Sequence, residues 1–483
     1  EACTLARSSA AIVRAVARRS LWLEQALTGG DLPPLEREER ADVCIVGGGY
    51  TGLWAALALK EHEPSLDVAL VEADVCGGGA SGRNGGFVMS WWNKFMTLEK
   101  LCGRDEALAL ATASAEAVTE IGSFCDANGI DAHFRHDGWL WAATSEAQIG
   151  SWDSVIAACE RAGARPFEPL EPAEVARRSG SASHLAGVFE ATAATVQPAL
   201  LARGLRRVAL ERGVRIFECS PMTRLERGTP PRVHTPRGSV RAQRVVLALN
   251  AWVAQVRELA RSLFVIASDM VATPPIPERL AEIGWTDGIA ISDSRLLVNY
   301  YRTTLDGRVA FGQGGGAIAY GGRIKAVFQG EAPAERAAHV ARSFATLYPE
   351  LADVPTPVSW TGPIDRSSTG LPFFGRLGGR PDLVHGAGYS GNGVGPSYLG
   401  GRALASLALG LDDRWAHAAS LLPPRGGLPP EPLRYPGAHV VKAAVARKER
   451  ADDAGERVDP LTRRVVGFAP AGLVPVKKGK KET

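Results

Sequence analysis

The stretch "CIVGGGYTGLWAALALK", Cys44 to Lys60, decides the fold. An apolar run stops at glycines and a helix-forming run of Leu and Ala follows, so the residues read as strand, tight turn and helix. Gly47, Gly49 and Gly52 fall in a GxGxxG frame. Its physical logic is a tight turn at the first glycine, close approach of a pyrophosphate at the second, and close packing of helix on strand at the third. The helix begins with Tyr50 and Thr51, and its N-terminal amides and positive dipole end point at the phosphates. A second strand, "DVALVEAD" (67–74), completes a βαβ opening and implies a parallel sheet. Glu72, twenty residues after Gly52, stands where a carboxylate accepts the ribose hydroxyls of an adenosine.

Two further glycine clusters extend this reading. "CGGGASGRNGGF" (76–87) puts Gly79, Ala80, Ser81, Arg83, Asn84, Gly85 and Gly86 directly after the adenosine strand. So much bare backbone suits FAD, which must be followed from the pyrophosphate along a ribityl chain, better than a nicotinamide. "HGAGYSGNGVGPSYLGG" (385–401) carries Gly388, Tyr389, Ser390, Gly391, Asn392, Gly393 and Val394 into a helix starting near Val394. A helix N-terminus aimed at the flavin pyrimidine edge stabilises the negative charge that collects there on reduction. The expected cofactor is FAD, gripped by three distant segments.

The whole chain is consistent with small-molecule chemistry. Its 483 residues, 45% hydrophobic and 22% charged, suffice for a large core and for two domains. A net charge of +3 asks for no nucleic acid. Seven scattered cysteines without a CxxC pair fit a reducing, cytoplasmic setting. Nine dispersed histidines without HxH or HExxH spacing argue against a metal. No window reaches the roughly 18 uninterrupted apolar residues of a spanning helix. Residues 1–30, with Arg7, Arg14, Arg18 and Arg19, are faintly reminiscent of a transit segment but read better as a plain helical lead-in or an overlong start. The closing "VKKGKKET" reads as a solvated tail.

The expected fold class is α/β: a Rossmann-like FAD-binding βαβ domain assembled from 41–95, 180–261 and 357–422, with an inserted antiparallel-sheet (α+β) substrate domain of 96–179 and 262–356. A helical N-terminal extension (1–40) and a C-terminal extension (423–483) flank them. Helices are expected over 105–129, 197–213 and 332–348, and turns between strands at Asp137-Gly138 and Asp306-Gly307. "FGQGGGAIAYGG" (311–322) opens no evident helix and is not read as a second nucleotide site.

Substrate contacts are sought in "LLVNYYRTT", where alternation puts Val298, Tyr300 and Arg302 on one face and Asn299, Tyr301 and Thr303 on the other. One face lines the cavity over the flavin, and the planar fork of Arg302 suits a substrate carboxylate. Trp91 and Trp92 are candidates for a pocket wall or for core packing. Asp365 and Arg366 are either an internal ion pair or a contact, and Asn392 is a candidate for both cofactor and substrate.

Through "IVGGGYTGLWAA", "GASGRNGGF", "VQPALLARGL", "VVLALNAW", "YYRTTLDGRVAFG", "LPFFGR" and "GYSGNGVG" the chain resembles the D-amino acid oxidase superfamily of FAD-dependent oxidoreductases from Ile45 to Gly395. Its γ-glutamylputrescine oxidoreductase-type members are the nearer likeness. Leu249 stands where many relatives carry Thr, and Asn392 where close relatives often carry His. No covalent-flavin signature is visible, and Cys76 is read as a packing residue, so non-covalent FAD is expected. The resemblance implies oxidation of a C–N bond in a small amine or amino acid. Hydride passes to flavin N5, the imine hydrolyses to a carbonyl product, and dioxygen or another acceptor takes the electrons. Alternatives on the same scaffold are a dehydrogenase of a hydroxy acid or polyol phosphate, and a flavin-bound protein without turnover; an NADPH-dependent monooxygenase fits the terminal motif less well.

Overall fold

The computed structural model describes residues 20–470 except 31, 325, 326 and 329. Most of the Arg-rich lead-in and all of the terminal lysines lie outside the described residues. β1 (Glu38–Val46) runs through the middle of the first sheet, whose order is Phe373–Arg376, Leu383–Ala387, Ser239–Leu247, β1, β2 (Val68–Val71) and Arg215–Phe217. All these junctions are parallel except the outer Phe373–Arg376 pairing. β2 and the second half of β1 are buried on both faces, which is why their sequences are continuous apolar runs rather than alternating ones.

One face of this sheet carries helices, and two of them meet over the glycine corner. A Cβ on Gly401 of Pro396–Leu409 would sit 2.4 Å from the Cβ of Trp54 in Tyr50–His62, so the helices touch backbone to backbone there. The other face packs through Val46, Val71 and Leu247 on Leu259, Leu263 and Val265 at the entry to the second sheet.

The second sheet has the order Val358–Ser367, Leu263–Ala272, Val309–Gln313, Asn299–Thr303, Ala290–Asp293, Trp139–Ala143, Ala186–Glu190 and Glu168–Leu170. It is antiparallel except where Ala290–Asp293 meets Trp139–Ala143. The helix Ala334–Leu347 covers one side through Val340, Phe344 and Leu347. The opposite side faces the glycine loops. Asp306-Gly307 lies in the connection between antiparallel Asn299–Thr303 and Val309–Gln313.

Three expectations are corrected. Ala186–Glu190 and Val358–Ser367, assigned to the FAD-binding segments 180–261 and 357–422, are strands of the second sheet. Their ladders to Trp139–Ala143 and Leu263–Ala272 override the composition boundaries used to place them. Asp137-Gly138 is not a hairpin turn: upstream of it only Arg135 bridges, to Thr195, and Trp139–Ala143 pairs elsewhere. The 1–40 segment is not a helical lead-in over its described part, because only α1 (Leu21–Ala26) is helical and β1 begins at Glu38. The C-terminal extension holds helices at Arg434–Asp453 and Pro460–Val466. Among the described residues, no helix is long and apolar enough to cross a membrane, and no cluster of three His, Cys, Asp or Glu is placed to hold a metal.

Candidate active site

Three chain segments meet at the C-terminal ends of β1 and β2. Gly47 has φ +112°, and a Cβ there would lie 2.4 Å from the carbonyl oxygen of Ala248. A Cβ on Gly52 would lie 1.9 Å from the oxygen of Gly47, so glycine at 52 is what seats the helix α2 (Tyr50–His62) on the strand. The backbone N–H of Tyr50 donates to Ser81 Oγ at 2.9 Å, joining the helix start to the second glycine loop.

Glu72, at the end of β2, accepts from the N–H of Gly48 at 2.7 Å and from that of Asp74 at 2.9 Å. Burial nevertheless pushes its carboxyl up to about 7. Asn84 knots the second loop: Nδ2 donates to the carbonyls of Ala80 and Ser81, and Oδ1 accepts from Gly86. Arg83 donates through Nε to Gly78 O and lies over the Phe328 ring at 4.6 Å.

The third segment is held by Asp365, whose carboxylate accepts from Gly388 N at 2.5 Å and Ser390 N at 3.2 Å. Burial raises this carboxyl to about 6. Thr51 Oγ1 donates to Tyr389 OH at 3.0 Å, closing the circuit between the first and third segments across 338 positions. Asn392 Nδ2 donates to Ser90 O at 3.1 Å, which leaves its Oδ1 without a hydrogen-bond partner. Arg366 does not pair with Asp365, because adjacent strand residues point to opposite faces; its Nη1 donates to Ser390 O at 3.3 Å and burial lowers its pKa to about 10.

Between these loops and the second sheet lies a cavity of about 1080 Å³. Of the expected cofactor residues, Gly47, Gly49, Tyr50, Thr51, Glu72, Gly79, Ala80, Ser81, Arg83, Asn84, Gly85 and 389–394 line it. Gly52, Gly86 and Gly388 do not: each supports the lining from behind, against Gly47 O, Val196 O and the Phe373 ring. A cavity this size is at the top of the range for one small ligand (roughly 300–1,000 Å³). Bare backbone and a strand-end carboxylate on one side, with a mainly apolar wall on the other, fit an extended dinucleotide with room beside it. Cys76 Sγ is buried behind Gly48 and does not line the cavity.

The substrate candidates divide. Tyr300 lines the cavity, and its OH meets Ser268 Oγ at 2.8 Å. Ser268 donates to Gln313 O, so the Tyr300 hydroxyl is the donor of that pair. Tyr301 points the other way, stacked on Phe311 at 4.8 Å and packed against Trp285 and Tyr348. Arg302 shares the face of Tyr300 but is 3% exposed and takes no place on the cavity wall. Its guanidinium donates to the carbonyls of Gly85, Val196 and Thr303 and lies 5.0 Å over the Trp22 ring, so it pins backbone instead of awaiting a carboxylate. Trp91 and Trp92 are core, with Trp92 against Phe95. Lining residues that sequence reasoning missed include Met89, Ser268, Leu296, Leu297 and Phe328, together with Pro221 to Leu225. Gly314 and Gly315, from the dismissed "FGQGGG" run, also line it and were the available signal.

The family model described as "DAO: FAD dependent oxidoreductase" matches residues 42–407. The chain is 31% identical over 383 residues to gamma-glutamylputrescine oxidoreductase of Escherichia coli (strain K12), covering 79% of this chain and 86% of that one. Among solved structures it is similar to glycine oxidase from Geobacillus kaustophilus (TM-score 0.64, 19% identity, 78% of this chain and 96% of that one). L-proline dehydrogenase from P. horikoshii is similar as well (TM-score 0.62, 20% identity, 78% and 94%).

Proposed function

The chain belongs to the DAO family of FAD-dependent oxidoreductases, and from that premise we propose that it oxidises the C–N bond of a small amine or amino acid and passes the electrons to dioxygen. The observation that carries this reading is the meeting of Tyr50 with Ser81, Thr51 with Tyr389, and Asn392 with Ser90 around one cavity that also has a largely apolar wall from the second sheet. The curated relative at 31% identity, whose name is that of an oxidoreductase of a glutamylated diamine, supports the nitrogenous substrate.

Bound there, FAD supplies the hydride-accepting ring and the redox chemistry. Gly47, Gly49 and the start of α2 would hold the pyrophosphate, Glu72 the ribose, and the 79–85 and 389–394 loops the flavin half. The chain's own contribution is to place and desolvate the amine. Ile266, Val298 and Ile364 keep water from the wall. Tyr300 offers its hydroxyl oxygen to orient polar groups. Asp365, the carboxylate on that wall, accepts from the amides of Gly388 and Ser390 and so holds the third loop in place.

Anaerobic mixing of the yellow holoenzyme with a panel of amines, amino acids and hydroxy acids tests the proposal. An amine or amino acid should bleach the flavin absorbance, and admitted dioxygen should restore it. Bleaching by a hydroxy acid alone would transfer the assignment to C–O oxidation, and failure to recolour in dioxygen would remove the oxidase part.

A further inference from the structure

The substrate-side wall of the cavity includes a hairpin tip, residues 294–298 between the strands Ala290–Asp293 and Asn299–Thr303, with Leu296, Leu297 and Val298 lining the space. Gly314 and Gly315 of the neighbouring loop line it beside them. Hairpin tips and glycine loops are the parts of a fold that open most readily. Here both are gripped from outside by the helix Arg434–Asp453, which lies beyond the 42–407 region shared with the family. Glu449 Oε1 accepts from the N–H of Leu297 at 3.0 Å. Asp453 takes both Nη groups of Arg295, at 2.5 and 2.9 Å, while Asp293 takes Nε at 3.0 Å. Lys442 Nζ donates to the carbonyl of Gly316 at 2.6 Å. Leu296 is covered by Val445 together with Val466 and Ala469.

The helix does little as core. Of its twenty residues only Val445 is buried. Arg434, in its first turn, donates to the carbonyls of Ala260 and Leu263, and Arg447 pairs with Asp459, but the polar contacts of Lys442, Glu449 and Asp453 fall on the two loops of the cavity wall. We propose that Arg434–Asp453 is a positioning clamp, through Glu449, Asp453 and Lys442, that fixes the 294–298 tip and thereby sets which substrates fit.

This rests on the cavity being the substrate site, so the test has one arm that needs no turnover. Amide exchange at Leu296–Val298 in the full-length holoenzyme should quicken in Glu449→Leu and stay as in the parent in Glu449→Gln, whose amide oxygen still accepts the Leu297 N–H. In the turnover arm, with whichever amine bleaches the parent enzyme, Glu449→Leu should raise KM about ten-fold, the cost of ordering a loose tip at each binding event, with kcat and FAD content within about two-fold. Glu449→Gln should restore KM. Lys442→Met, acting on the Gly316 side, should raise KM in the same direction if Glu449→Leu does not fold. Unchanged exchange and KM in a folded Glu449→Leu protein, or a Glu449→Gln protein as impaired as Glu449→Leu, would overturn the clamp. A parent enzyme that no amine bleaches, with exchange responding as stated, would sink the amine reading and leave the clamp standing.

Discussion

Glu72 sits in a balance between two amides that favour its anion and burial that opposes it, and burial dominates. Its folded value, about 7 against an ordinary 4.5, means the apo fold holds this proton more tightly than the unfolded chain. That group's contribution to stability therefore falls as pH rises from about 4.5 towards 7. Ribose hydroxyls donate best to the anion, so FAD affinity should tighten as pH climbs through about 7 and then level off, and Glu72→Gln should flatten that titration followed by flavin fluorescence. Arg302 makes a different prediction. Arg302→Ala would strand the carbonyls of Gly85 and Val196 and empty the space over Trp22, a loss of about 3 kcal/mol or more that a denaturant melt will read. Tyr300, held as a donor and with its pKa pushed up by burial, is not the group that takes the amine's proton, and an amine that binds in its neutral form loses that proton to solvent beforehand. The pH profile of kcat/KM should then rise with the ionisation of the substrate, shifting between two amines of different pKa and not staying with the protein. Glu72 was legible from spacing alone. Arg302 was not, because alternation tells which face a side chain takes but not how deep along the strand it lies.

The short helix α1 (Leu21–Ala26) falls inside the run read as a helical lead-in, but no pattern announced what it packs against. Six residues carry too little periodicity to reveal a face, and the reading of 1–40 as a lead-in missed that Trp22 is 1% exposed. Ser20 Oγ donates to Gly82 O at 2.5 Å and Trp22 Nε1 to Asn84 O at 2.9 Å, so α1 backs the second glycine loop. Trp22→Ala should cost about 3–5 kcal/mol as a buried aromatic and, more tellingly, lower the ratio of flavin to protein absorbance in purified enzyme. Retained flavin at full ratio would mean the loop stands without its brace. By contrast, β1, α2 and β2 were readable because each local rule pointed the same way: apolar strands, glycine at the close approaches, and a helix of good formers from Leu53 onward.

The two sheets meet chiefly through side chains around a cavity, so a ligand that touches both is also a structural member. Adding FAD to apoenzyme at about a hundred times its Kd should stabilise the fold by about 2.7 kcal/mol, visible as a higher melting temperature, and removing it should reverse the gain. The broad α/β architecture was legible, whereas the sheet membership of Ala186–Glu190 and Val358–Ser367 was not, since pairing partners lie far off in sequence. That same remoteness bears on biosynthesis. Ser239–Leu247 separates β1 from Leu383–Ala387, and the helix Pro396–Leu409 then leans on α2. A ribosome must therefore finish most of the polypeptide before the nucleotide cradle can shut, which makes cofactor capture a late event and leaves strand edges of the emerging N-terminal half open until their last partners arrive.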